Sequence, residues 1–314
     1  MTERPLAAVL GLGTVGGSLA LALRASGRYE SVVGWDPDFD VQRQAQRAKV
    51  VDRFARGPQE AVQRAAAVFI AVGAAHLRDV LTAAAPHLRV GAVICSVDEA
   101  HEATAAVAQV VLPANVSFVS VNPIVWEPVG PDTTPSPTLF QRGILSITPS
   151  SAAHPDAVAY VSDLAAALGM ETYFVDAREH DSFYAGIGRL PAVLAAALLR
   201  VASRRPAWRE LSRLAGGQFR QATEPAAVDP ARQQEAMSAE REHLARWLDE
   251  LSAELLTLKR ALEDGQEPSD YLTAAADARA KWLHDRQTPA AVAELPRTDV
   301  EPRRLFWGSR PGKR

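Results

Sequence analysis

The sequence predicts an α/β protein in which a doubly wound, parallel β-sheet is followed by an all-α region. Up to about residue 175, short apolar runs alternate with stretches of helical periodicity, which is typical of βαβ units. A glycine-rich turn follows the first apolar run. Beyond residue 176 the strand signals end and helix-forming residues predominate. These three observations together predict the fold class.

The alternation sets the order of the elements. The apolar runs predict strands over residues 6–10, 31–35, 67–72, 92–97 and 117–121, and the stretches between them predict helices over 18–26, 42–49, 75–85 and 100–111. Prolines crowd residues 123–137, which predicts a rigid loop because proline continues neither a helix nor a central strand. A strand over 144–148, a helix over 156–168 and a strand over 171–175 complete this half.

The second half carries a leucine seam. Leu244, Leu248, Leu251, Leu255, Leu258 and Leu262 are spaced four and three residues apart, and Met237 precedes them, which predicts one long helix that packs in an intrachain or dimer core. We therefore expect a nucleotide-binding domain over residues 1–175, a helical domain over 176–286, and a disordered tail over 287–314, where the composition is basic and proline-rich.

Composition narrows the function. The chain has 314 residues and a net charge of −3, which gives no global attraction to nucleic acid or to an anionic membrane. No apolar run reaches the ~20 residues of a membrane span, and the histidines lack metal-ligand spacing, so we expect no membrane segment and no metal. The one cysteine, Cys95, fits a reducing cytoplasm. A small molecule is the expected partner.

The glycine turn predicts a dinucleotide site. Gly11, Gly13 and Gly16 form a GxGxxG motif between a predicted strand and a predicted helix, and Asp36 ends the second strand 20 residues later. These glycines permit a tight turn, close approach of a pyrophosphate and close helix packing, while Asp36 is suited to bind ribose hydroxyls. Its charge would repel a 2′-phosphate, so the motif favours NAD over NADP in a Rossmann-like domain. The full set of expected cofactor residues is Gly11, Gly13, Thr14, Val15, Gly16, Asp36, Val72 and Gly73.

Several segments in order resemble the prephenate and arogenate dehydrogenase family over roughly residues 5 to 285. They are the opening GLGTVGGSLA at 11–20, FIAV at 69–72, LFQRG leading to LSITP across 139–149, EHD at 179–181, LP at 190–191 and AGGQFR at 215–220. The resemblance implies a cytoplasmic, NAD-dependent homodimer that interlocks through its all-α dimerisation domain. It further implies oxidation of a ring alcohol by hydride transfer with loss of the ring carboxylate, a step of tyrosine biosynthesis.

The resemblance also assigns site positions, at which this chain departs from the family. Asn122 stands where the family has its catalytic histidine, and Glu99 and His101 stand where it has serine and lysine. Asparagine can donate a hydrogen bond to an alcohol but cannot take its proton near pH 7. Arg189 occupies a histidine position, and Glu224 occupies the position of an arginine that binds substrate.

Each of these residues also has a structural interpretation. Asn122 could cap its own turn before a proline, and Glu99, His101, Arg189 and Arg220, the substrate candidates, could be ordinary helix or surface residues. His180 and Asp181 are adjacent on a helix, so their side chains should diverge, and we expect them to form interdomain hydrogen bonds rather than an acid–base pair. Three functions stay open: prephenate oxidation, oxidation or reduction of another small alcohol or ketone, and redox-inactive dinucleotide binding.

Overall fold

The computed structural model describes residues 4–129, 133–227 and 229–287. Its centre is an eight-stranded sheet with the order β3-β2-β1-β4-β5-β6-β7-β8. The strands are β1 (Leu6–Leu10), β2 (Ser31–Trp35), β3 (Arg53–Phe54), β4 (Ala65–Ile70), β5 (Val93–Val97), β6 (Ser117–Ile124), β7 (Ile144–Pro149) and β8 (Glu171–Phe174). The predicted doubly wound α/β fold, followed by helices, is confirmed.

Helices cover both faces of this sheet and bury two apolar clusters against it. The helices of this half are α1 (Thr14–Ala25), α2 (Phe39–Ala48), α3 (Pro58–Val62), α4 (Ala74–Ala84), α5 (His101–Val111) and α6 (Pro155–Ala167). A strand buried on both faces needs apolar residues throughout, and β4, with the sequence AAAVFI, is buried at every position. The apolar runs of the sequence are therefore the central strands.

The sheet departs from the predicted parallel arrangement at its last two strands: β7 runs antiparallel to β6, and β8 pairs parallel with β7. The proline-rich loop returns the chain next to the strand it left, so no helical crossover separates the two strands. Pro123, expected in a loop, lies within β6 opposite Leu145. The Val121 carbonyl points toward β5, and the nitrogen of Pro123, two residues later, points to the same side. Because β5 has already ended at this level, the missing N–H of the proline faces no strand.

The second half is helical, as predicted. It contains α7 (Ala177–Tyr184), a π-helical turn (Ala185–Arg189), α8 (Leu190–Ser203), α9 (Trp208–Leu214), α10 (Gly217–Thr223), α11 (Pro230–Ala239), α12 (Arg241–Glu263) and α13 (Ser269–Gln287). The leucine seam is divided: Met237 is on α11, Leu244 is buried on α12, and Leu262 near its end is exposed. The expected tail lies outside the described residues apart from Gln287.

Helices α7 and α8 join through the π-helical turn into one stretch, Ala177–Ser203. Its mean hydropathy is 1.5, and only 17% of its most apolar window is buried within the chain. The sequence indicated a shorter apolar run here, residues 190–199, about half the length of a membrane span. By length and composition alone this helix could cross a membrane, and its exposed apolar face needs a partner that the single chain does not supply.

Candidate active site

The glycine turn has the geometry of a dinucleotide cradle. Gly11 has φ +97°, and a Cβ atom there would lie 2.4 Å from the Ala71 carbonyl oxygen, so only glycine fits. A Cβ atom on Gly16 would lie 2.0 Å from the Gly11 carbonyl oxygen, which lets α1 sit directly against β1. At Gly13 a Cβ atom would meet nothing within 4 Å. The turn is therefore closely packed at Gly11 and Gly16 and open at Gly13, at the amino end of α1. A bound pyrophosphate requires this open side.

The other residues expected at the cofactor surround this turn. Thr14 and Val15 begin α1, and Val72 and Gly73 follow β4, whose end packs on Gly11. Asp36 lies at the end of β2 with its side chain 9% exposed, and its Oδ2 accepts a hydrogen bond of 2.6 Å from the Leu12 amide. Burial raises the pKa of Asp36, although that amide hydrogen bond opposes the rise. The Asp36 carboxylate is thus hydrogen-bonded to the glycine turn, on the side where the ribose of the cofactor is expected.

The proline-rich loop contacts the same helix. The Thr14 hydroxyl donates to the Thr133 carbonyl over 2.9 Å, and the Ser136 amide donates to the Ser18 hydroxyl over 2.9 Å. The described part of this loop is thereby held beside the first turns of α1. It encloses one side of the expected cofactor site.

A buried polar cluster lies along the same edge of the sheet. Strands β1, β4, β5 and β6 are parallel and in register, so the segments after their carboxyl ends are neighbours. Asn122, 3% exposed, donates from Nδ2 to His180 Nε2 over 3.3 Å. The ring of His180 stacks on that of His101 at 3.7 Å between centroids. Ligands of open α/β sheets bind at this edge, so the cluster and the glycine turn belong to one site.

His101 has no exposed surface, so it does not contact a substrate in this arrangement. Its Nδ1 lies 2.8 Å from the Thr148 hydroxyl. Burial and the neighbouring His180 lower the pKa of His101 to about 3, which keeps the ring neutral. The structure therefore contradicts the expectation that His101 is a substrate or surface group.

Asp181 connects the two halves of the chain. Its Oδ1 accepts from the His101 amide over 2.8 Å and its Oδ2 accepts from the Glu102 amide over 2.9 Å, at the amino end of α5. His180 Nδ1 also donates to Asp181 Oδ1 over 2.9 Å. The expected interdomain hydrogen bonds are present. The expectation that the two side chains diverge is wrong, because both are buried and hydrogen-bonded to each other.

A second, half-exposed group adjoins Asn122. The Tyr184 hydroxyl donates to Glu99 Oε1 over 2.8 Å and is also hydrogen-bonded to Asn122. Arg189 forms ion pairs with Glu99 and with Glu240, the latter at 3.3 Å, and its guanidinium lies 5.3 Å from the Tyr184 ring centroid. Two carboxylates thus surround one cation, which leaves Arg189 no surplus positive charge for an anionic substrate.

The structure brings together Asn122, Glu99 and Arg189 of the expected site residues. Arg220 lies on α10 with an exposed side chain, outside this cluster, and Glu224 begins the 3₁₀ turn Glu224–Ala227. Sequence reasoning missed Tyr184 and Glu240. Tyr184 had a usable signal, since it lies four residues after His180 and therefore on the same helix face. Glu240 had none, because its partner Arg189 is distant in sequence.

The fold and the site define a class of protein: a nucleotide-binding α/β domain joined to a helical domain that packs over the carboxyl edge of the sheet. The chain belongs to the prephenate dehydrogenase family. Residues 19–174 match the family's "Prephenate dehydrogenase, nucleotide-binding domain" and residues 176–275 match its "Prephenate dehydrogenase, dimerization domain". The resemblance noted in the sequence is thereby confirmed.

Individual relatives agree with this assignment. A cyclohexadienyl dehydrogenase of Zymomonas mobilis is 29% identical over 268 residues, which span 84% of this chain and 90% of that protein. A prephenate dehydrogenase of Bacillus subtilis is 25% identical over 275 residues, or 86% of this chain and 74% of that protein.

Solved structures share the fold. The prephenate dehydrogenase from A. aeolicus in complex with hydroxyphenyl propionate and NAD+ superimposes with a TM-score of 0.80 and 18% identity, covering 90% of this chain and 99% of that one. Arogenate dehydrogenase of Synechocystis has a TM-score of 0.72 and 23% identity, with 88% and 99% covered.

Proposed function

We propose that this chain is an NAD-dependent dehydrogenase that oxidises the ring alcohol of a cyclohexadienyl substrate of the prephenate type, with loss of the ring carboxylate. The observation that carries the proposal is that the glycine turn and the cluster around Asn122 lie along the same edge of the sheet in a chain that matches both family domains. NAD supplies a hydride acceptor when bound. Asp36 and the amino end of α1 would hold it, and the proposed compartment is the cytoplasm.

The test is formation of NADH, followed by its absorbance, with prephenate and arogenate supplied separately at high enzyme concentration. Turnover of either substrate supports the proposal. Calorimetry with NAD runs in parallel. Binding of NAD without turnover of any substrate would favour a redox-inactive, dinucleotide-binding protein, and absence of NAD binding would contradict all three functions.

A second candidate is a dehydrogenase or reductase for a less anionic alcohol or ketone. It is favoured by the charge around Arg189, whose guanidinium is already shared between Glu99 and Glu240. Binding a dianion would require breaking at least one of these ion pairs, which is unfavourable when one carboxylate is buried. Turnover of a neutral alcohol faster than prephenate would support this candidate over the first.

The choice of NAD over NADP should depend on Asp36. Replacing Asp36 with serine is expected to weaken NAD binding about 10-fold, because a charged hydrogen-bond acceptor for the ribose is lost. NADP binding should weaken less or improve, since repulsion of its 2′-phosphate is removed. The measurement is calorimetric titration with each cofactor. The matched control is Asp38→Ser, which alters the nearby cap of α2. Equal effects of the two variants would contradict the assignment.

We propose that the chain forms a homodimer through the apolar face of Ala177–Ser203. Ile187, Leu198 and Val201 are 66%, 43% and 60% exposed and fall on one helical face. The matching family domain is described as a dimerization domain, so a second copy is the partner that this face fits.

Replacing Leu198 with glutamate is expected to convert the dimer to a monomer, because a charge would be buried against an apolar partner surface. Sedimentation velocity measures the assembly state. Val110→Glu, at a 76% exposed site on α5, is the control and should stay dimeric. A wild-type chain that sediments as a monomer, or one that requires detergent, would contradict the proposed interface.

A further inference from the structure

Tyr184 and Glu99 form a hydrogen-bonded pair beside the residue that replaces the family's catalytic histidine. Tyr184 lies on α7 and Glu99 follows β5 directly, and 2.8 Å separates Oη from Oε1. Strands β5 and β6 are in register at Val97 and Val121, so Glu99 and Asn122 lie at the same level of the sheet edge. A phenol and a carboxylate are therefore held in line next to Asn122.

The side chains of this pair are more exposed than the neighbouring polar residues of the cluster. Asn122 and His180 are 3% and 4% exposed, whereas Tyr184 is half-buried and the Glu99 side chain is 41% exposed. The Tyr184 side chain is therefore partly open at this edge, where a substrate oxygen would meet its hydroxyl. Glu99, at the other end of the pair, is partly open to water.

We propose that Tyr184 and Glu99 are the proton relay of this enzyme and perform the task that Asn122 cannot. This inference rests on the proposed oxidation of an alcohol by NAD. In the step, the C–H bond of the carbinol breaks and its hydride passes to NAD+. The alcohol O–H proton passes to Tyr184 Oη as the Tyr184 proton passes to Glu99 Oε1. The alcohol becomes a carbonyl while one proton is held on Glu99. Loss of the ring carboxylate as CO2 then converts this carbonyl into a phenolate, and the proton returns from Glu99 through Tyr184 to the phenolate oxygen.

The surroundings of Tyr184 determine its protonation state in the relay. Burial and the adjacent Glu99 raise the pKa of Tyr184, while Arg189 and the hydrogen bond from Asn122 oppose that rise. The hydroxyl therefore stays a neutral phenol that accepts one proton only as it gives up another. Departure of the hydride makes the alcohol O–H strongly acidic, so a carboxylate can be the final acceptor.

Arg189 also contacts Glu99 and forms an ion pair with it. It pairs with Glu99 and with Glu240, so Glu99 is faced by Tyr184 from α7 and by Arg189 from the π-helical turn. When Glu99 takes the proton, Arg189 keeps Glu240 as its counter-ion. The relay can therefore change charge without leaving Arg189 buried and unpaired.

Three variants test the relay: Tyr184→Phe, Glu99→Gln and, as control, Tyr173→Phe at a 50% exposed site on β8. With prephenate and NAD, Tyr184→Phe is expected to lower kcat by about 100-fold or more while KM changes by less than about 3-fold. Glu99→Gln should also lower kcat with little change in KM, because glutamine cannot accept the proton at the end of the relay. Tyr173→Phe should match the wild type, and thermal unfolding confirms that each variant is folded.

The His180→Gln variant tests whether His180, which also contacts Asn122, is the base instead of the Tyr184–Glu99 pair. Retention of more than about a third of wild-type kcat by Tyr184→Phe, or a loss of kcat in His180→Gln that Glu99→Gln does not share, would overturn the relay.

A binding measurement separates failure of the relay from failure of the proposed function. Calorimetry with hydroxyphenyl propionate and the NAD-loaded protein requires no turnover, and its phenol probes the contact with Tyr184. If the wild type binds the phenol but turns over neither prephenate nor arogenate, the proposed function is wrong. In that case a loss of about 10-fold in affinity on Tyr184→Phe still supports the contact, and an unchanged affinity overturns it. Absence of both turnover and binding overturns both proposals.

Discussion

Replacing Asp181 with alanine is expected to lower the free energy of unfolding by about 3–5 kcal/mol. The carboxylate is buried and accepts hydrogen bonds from the amides of His101 and Glu102 and from the His180 ring. Alanine would leave two backbone N–H groups without an acceptor, each costing about 1–3 kcal/mol, and would remove a negative charge from the amino end of α5. Because Asp181 is on α7, the loss also weakens the contact between the two halves of the chain.

Urea unfolding of the wild type and the variant measures this effect. The matched control is Asp176→Ala, because Asp176 caps α7 locally by accepting from the Glu179 amide at an exposed site. Loss of such a cap costs about 1 kcal/mol. An equal loss in the two variants would contradict an interdomain role for Asp181.

The effect should depend on pH with a defined sign. Burial alone would raise the pKa of Asp181, but the hydrogen bonds from His180, Glu102 and His101 hold it below its ordinary value. A carboxyl group with a lowered pKa in the folded state contributes stability above its unfolded pKa and loses it as the pH falls through the folded value. The gap between wild type and Asp181→Ala should therefore narrow in acid.

The nucleotide-binding half was predictable because its signals are local. The periodicity that predicts β1 and β2 gives their bounds residue for residue, and the glycine motif is contiguous in sequence. The strand β3 was missed because two residues, Arg53 and Phe54, carry no periodicity. The antiparallel β7 was missed because strand direction depends on the path of the preceding loop, which apolar patterning does not record.

The polar cluster was predictable only in part because its contacts span the chain. Asp181 meets the His101 amide across 80 residues, and Glu99 meets Tyr184 across 85. The resemblance to a family located Asn122, but nothing in the local sequence indicated that it is buried against His180. Residue types indicate which chemical groups are available, whereas tertiary packing decides which partners pair with those groups.

The helix Ala177–Ser203 shows a similar limit. Glycine weakens an isolated helix, so Gly186 and Gly188 are unfavourable in this stretch by helix propensity alone. In the fold, a Cβ atom on Gly186 would lie 2.2 Å from Trp247 Cε2, and one on Gly188 would lie 2.5 Å from the Tyr184 ring. The two glycines therefore serve close packing of aromatic rings around a π-helical turn, a feature that often occurs at functional sites.

Glu240 is expected to make the protein less stable as the pH rises from about 5 to 8. Its side chain is 1% exposed, and burial raises its pKa from 4.5 to about 7 even though Arg189 opposes the rise. Asp181 and Glu99 add to the rise by repulsion. A group with a raised folded pKa contributes stability that is fully present below its unfolded pKa and is lost as the pH rises through the folded value. One pKa unit corresponds to about 1.4 kcal/mol, so this group alone accounts for roughly 3 kcal/mol.

Replacing Glu240 with glutamine should remove that part of the pH dependence, because glutamine stays neutral in the folded and unfolded chains alike. Urea unfolding across this pH range measures it, with Glu263→Gln, at an exposed position at the end of α12, as the control. The difference between wild type and Glu240→Gln isolates this carboxyl from other titrating groups. At pH 8 the variant should equal or exceed the wild type in stability, since Arg189 still pairs with Glu99. Parallel curves for the two proteins would mean that Arg189 holds Glu240 ionised throughout this pH range, and would contradict the prediction.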